Sequence, residues 1–106
     1  MSRRIALIGA PTDIGAGHRG ASMGPEALRV AGLAEALRER GLEVVDQGNL
    51  VGPVNPWQPP TDGYRHLPEV VAWNRAVMEA VGGALRAGML PILLGVTMYI
   101  QFKLNP

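Results

Sequence analysis

Cysteine is absent from the 106 residues of this sequence, which rules out disulfides and thiolate metal sites. Redox chemistry therefore leaves the compartment open, and a cytoplasmic protein is the simplest expectation. Lysine is almost absent too, with Lys103 the sole example. Ten Lys and Arg against nine Asp and Glu give a formal net charge of +1, too little for a general attraction to nucleic acid or acidic lipid. No nucleic-acid partner is expected. A long hydrophobic run is also missing. The stretch Ile5–Ile8 after Arg3 and Arg4 is stopped by Gly9, Pro11 and Asp13, whereas a signal peptide needs roughly 7–15 apolar residues and a membrane-spanning helix about 20. No targeting segment and no membrane partner are expected. Repeats and low-complexity tracts are absent as well, and His18 and His66 are the only histidines.

What is present has the balance of one small folded domain: 47% hydrophobic and 18% charged residues, far from the signature of disorder. Ile5–Ile8 reads as a strand buried on both faces, because its apolar residues are continuous rather than alternating. Pro11–Gly24, with Gly15, Gly17 and Gly20 inside it, is too irregular for either period and reads as a functional loop. Pro25 and Glu26 suit a helix start. A helix from there to Gly41 would place Leu28, Leu33 and Leu37 inward and Arg29, Glu35, Arg38, Glu39 and Arg40 outward. Val44 and Val45, closed by Gly48 and Asn49, give a second strand. Leu50–Gly63, carrying Pro53, Pro56, Pro59 and Pro60, is a stiff second loop whose Trp57 is expected to pack on the domain. Leu67–Ala87 is helical through Val70, Val71, Trp73, Val77, Val81 and Leu85, with Gly88 as its cap. Ile92–Leu94 forms a third strand. The order βαβαβ, joined by short turns, implies an α/β fold, a three-layer open parallel sheet with right-handed crossovers.

Several residues invite a chemical role. Gly15–Gly20 satisfies GxGxxG, a pattern that wraps a pyrophosphate at a helix N-terminus. Here it lies well beyond the strand end at Gly9 and well before Pro25, and no Gly-Lys-Ser or Gly-Lys-Thr follows it, so a structural glycine loop is the favoured reading and a small binding module for an anionic or nucleotide ligand the alternative. His18 and His66 have no acidic residue at metal-ligand spacing and are expected to be exposed or hydrogen-bonded. Asp13 and Arg19 follow the first strand, where open α/β sheets bind ligands, but both can equally hold the loop's shape, and that role is favoured. Trp57, Tyr64 and Trp73 are expected to be packing residues.

The segment IALIGAPTDIGAGHRGASMGPEALRVAGL, Ile5–Leu33, resembles the opening of the arginase family, manganese-dependent ureohydrolases that convert arginine to ornithine and urea. The resemblance continues through Leu42–Asn49 (LEVVDQGN), Asn55–Pro60 (NPWQPP) and His66–Val71 (HLPEVV), where it is closest to the bacterial type, and through Leu90–Gly95 (LPILLG). It implies an arginase-like segment over residues 1–95 and a non-family tail over residues 96–106. Family members continue after Gly95 with a second Gly and then Asp-His-Ser, whose His is a manganese ligand, whereas this sequence reads Val96-Thr97-Met98. The later family motifs Asp-Ala-His-x-Asp and Asp-x-Asp do not occur before Pro106. The resemblance therefore implies a truncated, catalytically inactive arginase-type chain. It has no catalytic, cofactor-binding or metal residue assigned and no cofactor of its own, although the full-length family uses manganese.

The tail alternates, with Val96, Met98, Ile100, Phe102 and Leu104 on one side and Thr97, Tyr99, Gln101 and Lys103 on the other, which is a strand pattern. In the family the third strand is internal. A bare edge at that strand templates another chain, so self-association through Leu90–Leu104 is the expected partner interaction.

Overall fold

The computed structural model describes residues 3–14 and 20–95. In it the chain forms β1 (Arg4–Gly9), α1 (Gly24–Val30), α2 (Leu33–Glu39), β2 (Glu43–Asn49), α3 (Leu67–Arg86) and β3 (Leu90–Leu94), with a 3-10 turn at Ala21–Met23 before α1. The strands lie in the order β2-β1-β3, and both pairings are parallel. The tail from Val96 to Pro106, with its expected strand, and the loop residues Gly15–Arg19 lie outside the described residues.

β1 is apolar without alternation because both of its faces are covered. Ile5 and Leu7 join Val44 under Leu33, Ala34 and Leu37 of α2. Ala6 and Ile8 point the other way, to Ala84 of α3 and Met89. Past the strand end, Ala10 and Ile14 continue that second layer against Val70, Trp73 and Val77. The three-layer arrangement thus follows from the period-two alternation of a single central strand.

The helical stretch before Gly41 is two helices, not one. Gly32 adopts φ +95° and ends α1, its amide donating to the Arg29 carbonyl at 3.0 Å. Gly41 and Gly88, at φ +82° and +78°, close α2 and α3 in the same way. After each glycine the next amide reaches back five residues, Leu42 to Leu37 at 3.3 Å and Met89 to Ala84 at 2.9 Å, which satisfies carbonyls at the helix end. The break rotates α1 relative to α2. Leu28, expected inside, is exposed, and Arg29, expected outside, turns inward with its side chain only 16% exposed. On α3 the buried line is Val70, Trp73, Val77 and Ala84, so Val71 and Leu85, expected in the core, lie on the exposed flank.

β2 contains an irregularity that shapes its end. Leu7 pairs with Asp46 and Gly9 with Asn49, so β2 spends one residue more than β1 over this stretch. Gly48, at φ +78°, absorbs it as a bulge. The bulge lays the Asn49 side chain across Gly9, where a Cβ would collide with Asn49 Oδ1 and approach Arg29 Nη2 to 3.1 Å. Gly9→Ala is therefore expected to destabilise the chain by about 1–3 kcal/mol through overpacking. Because the obstruction is a side chain, Gly9→Ala combined with Asn49→Ala should lose less than the sum of the two single changes. Urea unfolding of the four variants checks this; strict additivity would show that Asn49 is not the obstruction.

Candidate functional site at the strand ends

In a parallel sheet the crevice for ligands lies beyond the carboxyl ends of the strands, and here three connections meet at that end. β1 runs into Ala10–Ile14, β2 into the proline-containing loop, and β3 into Gly95. The Ala10 amide donates to the Leu94 carbonyl at 2.9 Å, and the Leu50 amide to the Gly9 carbonyl at 2.7 Å, so pairing extends past the strands on both sides of β1. Gly95 adopts φ +85°, and a Cβ there would lie 2.9 Å from the Ala10 carbonyl oxygen. Only glycine suits that close approach.

A cleft of about 260 Å³ opens at this end, lined by Thr12, Asp13, Ser22, Asn55 and Trp57 above Trp73. Asn55, itself buried, organises it. Its Nδ2 donates to both the carbonyl and Oδ1 of Asp13 at 3.2 Å, while its Oδ1 accepts the Trp57 amide at 2.8 Å. Trp73 forms the floor. Its Nε1 donates to the Pro53 carbonyl at 2.8 Å, and its indole lies so close to Gly52 that a Cβ there would come within 2.5 Å of it. Behind the cleft, His66 Nε2 accepts the Gln58 amide at 3.0 Å, and Nδ1 lies 3.5 Å from the Ile14 carbonyl.

A second polar group stitches β2 to α1. Arg29 clamps Asp46 with two parallel bonds, Nε to Oδ2 at 2.9 Å and Nη2 to Oδ1 at 3.1 Å. Its Nη1 reaches Glu26 Oε1 at 2.7 Å and Asn49 Oδ1 at 2.6 Å. The hydrogen bonds from Arg29 hold the Asp46 carboxyl below its ordinary range, against a partial burial that pushes it up, and the Gly48 amide adds to the lowering. The same pairing raises the Arg29 guanidinium further, which keeps it charged at every working pH.

Most residues that the sequence singled out here are committed to structure. Asp13 is tied to Asn55, as its loop-holding role requires. His66 is buried and hydrogen-bonded. Trp73 is a core residue, Trp57 lines the cleft, and Tyr64 is half exposed beside a backbone bridge to Thr61. His18, Arg19 and the Gly15–Arg19 part of the glycine motif lie outside the described residues. Gly20, its last glycine, leads into the 3-10 turn rather than directly into a helix. Asn55 and Arg29 were missed. The first acts across 42 residues of sequence, which no periodicity reveals. The second was signalled by Gly32 and by the five-residue step from Leu28 to Leu33, which breaks helical spacing. Among the described residues no three His, Asp or Glu side chains converge to hold a cation. Asp46 answers to Arg29, Asp13 to Asn55 and His66 to a backbone amide, so this donor set does not fit the manganese pair that the resemblance implies.

The depressed Asp46 value carries a pH signature. Above the ordinary carboxylate range the residue is ionised in both the folded and unfolded chains, and its pairing stabilises the fold in full. As pH falls through the lowered folded value, both states become protonated and the contribution disappears. The stability difference between the wild type and Asp46→Asn is expected to be constant near neutrality and to shrink in acid below the ordinary carboxylate value. Denaturation midpoints measured across that range check it, and a difference that grew in acid would contradict the assigned direction.

Comparison with known proteins agrees with this architecture. The family model described as "Arginase family" matches residues 3–95. The arginase of Brevibacillus brevis is 33% identical over 95 residues, covering 90% of this chain and 32% of that protein. The Brucella melitensis arginase is 41% identical over 90 residues, covering 84% and 29%. Among solved structures, the native arginase of Bacillus caldovelox superposes with a TM-score of 0.74 at 32% identity, covering 88% of this chain and 31% of that one. The chain thus spans about a third of the length of the curated relatives it matches. With the sequence matched from Arg3 to Gly95 and the fold matched over the same framework, the chain belongs to the arginase family.

Proposed function

We propose that this chain is a scaffold segment of an arginase-type ureohydrolase, a cytoplasmic enzyme class that uses manganese to split arginine into ornithine and urea. We further propose that the 106-residue polypeptide alone does not perform that reaction. Hydrolysis of a guanidinium in this way requires a metal-activated water. The observation that carries the proposal is the commitment of the polar side chains at the strand ends, with Asp46 bound by Arg29 and Asp13 by Asn55. The sequence supports it at the point where β3 delivers the chain to the crevice, since Val96-Thr97-Met98 stands where the family has Gly-Asp-His. What these residues do is form and brace the crevice floor.

The partner that fits best is a second copy, meeting the first along the outer side of β3. The Trp73 flank of α3 faces the loop after β2. The opposite flank leaves Val71, Met78 and Leu85 exposed. Asn74 Oδ1 on that flank is buried with no hydrogen-bond partner among the described residues.

Two outcomes are expected. The purified chain, assayed with arginine and added manganese, should release no urea; urea production that co-purifies with the chain and depends on manganese would overturn the inactivity. In light scattering the chain should be larger than a monomer, and deleting Val96–Pro106 should change its size. A soluble monomer unaffected by the deletion would remove the case for self-association.

A further inference from the structure

We propose that His66 is a proton-operated latch, whose neutral ring holds the loop after β2 closed over the end of β1 and whose protonation releases that loop. The assignment rests on which atoms donate. The Gln58 amide can only donate, so Nε2, 3.0 Å away, must present its lone pair. The ring proton then sits on Nδ1, directed at the Ile14 carbonyl at 3.5 Å. One neutral tautomer thus links the loop after β2 to the loop after β1, through a residue that is only 7% exposed. Adding a proton puts a second N–H on Nε2, facing the N–H of Gln58. Two donors cannot share that contact, so the Gln58 amide loses its acceptor on the ring. His66 also stands at the N-cap of α3, where the loop after β2 passes into the helix.

The charged neighbours of the ring, among the described residues, are of both signs. Among the described residues, Asp62, Tyr64 and Glu69 border the same hollow of about 580 Å³ as His66, Arg65 donates to the Gln58 carbonyl, and Asp13 is held by Asn55 on the facing loop. Their charges are mixed, so the latch depends on hydrogen-bond direction rather than on one dominant neighbour. The loop is also poised to move. Trp57, Asp62 and His66 hold φ values of +51°, +53° and +57°, conformations that non-glycine residues keep only when their surroundings enforce them. Release of Gln58 removes one of those enforcements and loosens the turn that carries Trp57 and Asn55 over the cleft.

Amide hydrogen exchange on the intact chain, corrected for intrinsic pH dependence, tests this between about pH 8 and about pH 5.5, the window in which histidine changes charge. Protection at Trp57 and Gln58 should fall about tenfold or more while the β1 amides Ala6–Ile8 stay protected, and the fall should track titration of the His66 ring followed by nitrogen NMR. His66→Gln, which keeps a side-chain acceptor but does not titrate, should flatten the profile. Constant protection in the wild type, or a fall out of step with the His66 ring, would overturn the proposal. So would an unchanged fall in H66Q. If that variant does not fold, the ring titration and wild-type exchange still decide between the outcomes.

Discussion

β1 has a strand on each side and a helical layer over each face, and the other elements are placed by how they meet it. Its alternation sends Ile5 and Leu7 to one layer and Ala6 and Ile8 to the other, so a one-residue slip of register would exchange the two cores. The small side of the strand, Ala6, lets α3 come close enough for Ala84 to touch the sheet. At its end, Gly9 gives up a side chain so that Asn49 can cross to Arg29. The same strand therefore fixes both the hydrophobic layers and the polar clasp that closes them.

Beyond β1 the forces change from apolar packing to hydrogen bonding. The loop after β2 buries little that is aliphatic, with Val51 and Val54 exposed, and is held by a handful of directed contacts. Asn55, Trp73 Nε1 and His66 each satisfy a backbone group or an acid in a neighbouring segment. Such contacts each contribute about 1 kcal/mol, much less than a buried aromatic, so this end of the molecule is shaped by geometry more than by stability. That suits a crevice floor, which must be well formed but does not have to carry the fold.

Sequence reasoning reached the framework where local signals were unambiguous. Continuous apolar residues marked β1, paired valines marked β2, and the 3.6-residue pattern ending at Gly88 marked α3 to within a residue. It failed where two signals competed. Gly32 is the same kind of helix terminator as Gly41 and Gly88, but alanines on both sides of it favour helix and masked the break. Once the break was missed, Arg29 fell on the wrong face, and the clasp with Asp46 could not be found. The crevice was legible only in outline, because Asp13 and His66 stood out as residue types, whereas their partners are a distant Asn55 and a backbone amide. The dispersed motifs from Ile5 to Gly95 carried the family when no single motif did.

The break at Gly32 also decides which helices depend on the rest of the fold. α1 and α2 have seven residues each, well below the roughly 12–15 at which an isolated helix becomes even marginal in water. α3 has 20. Only α3 exceeds that length, and its Trp73 and Val77 pack on Ala10 and Ile14 past the end of β1. α2 leans on the surface that Leu7 and Val44 offer to Leu33, Ala34 and Leu37, and α1 is tied to β2 through Arg29 and Asp46. One helical layer is thus a single long helix, and the other is two short ones that depend on the sheet for their stability.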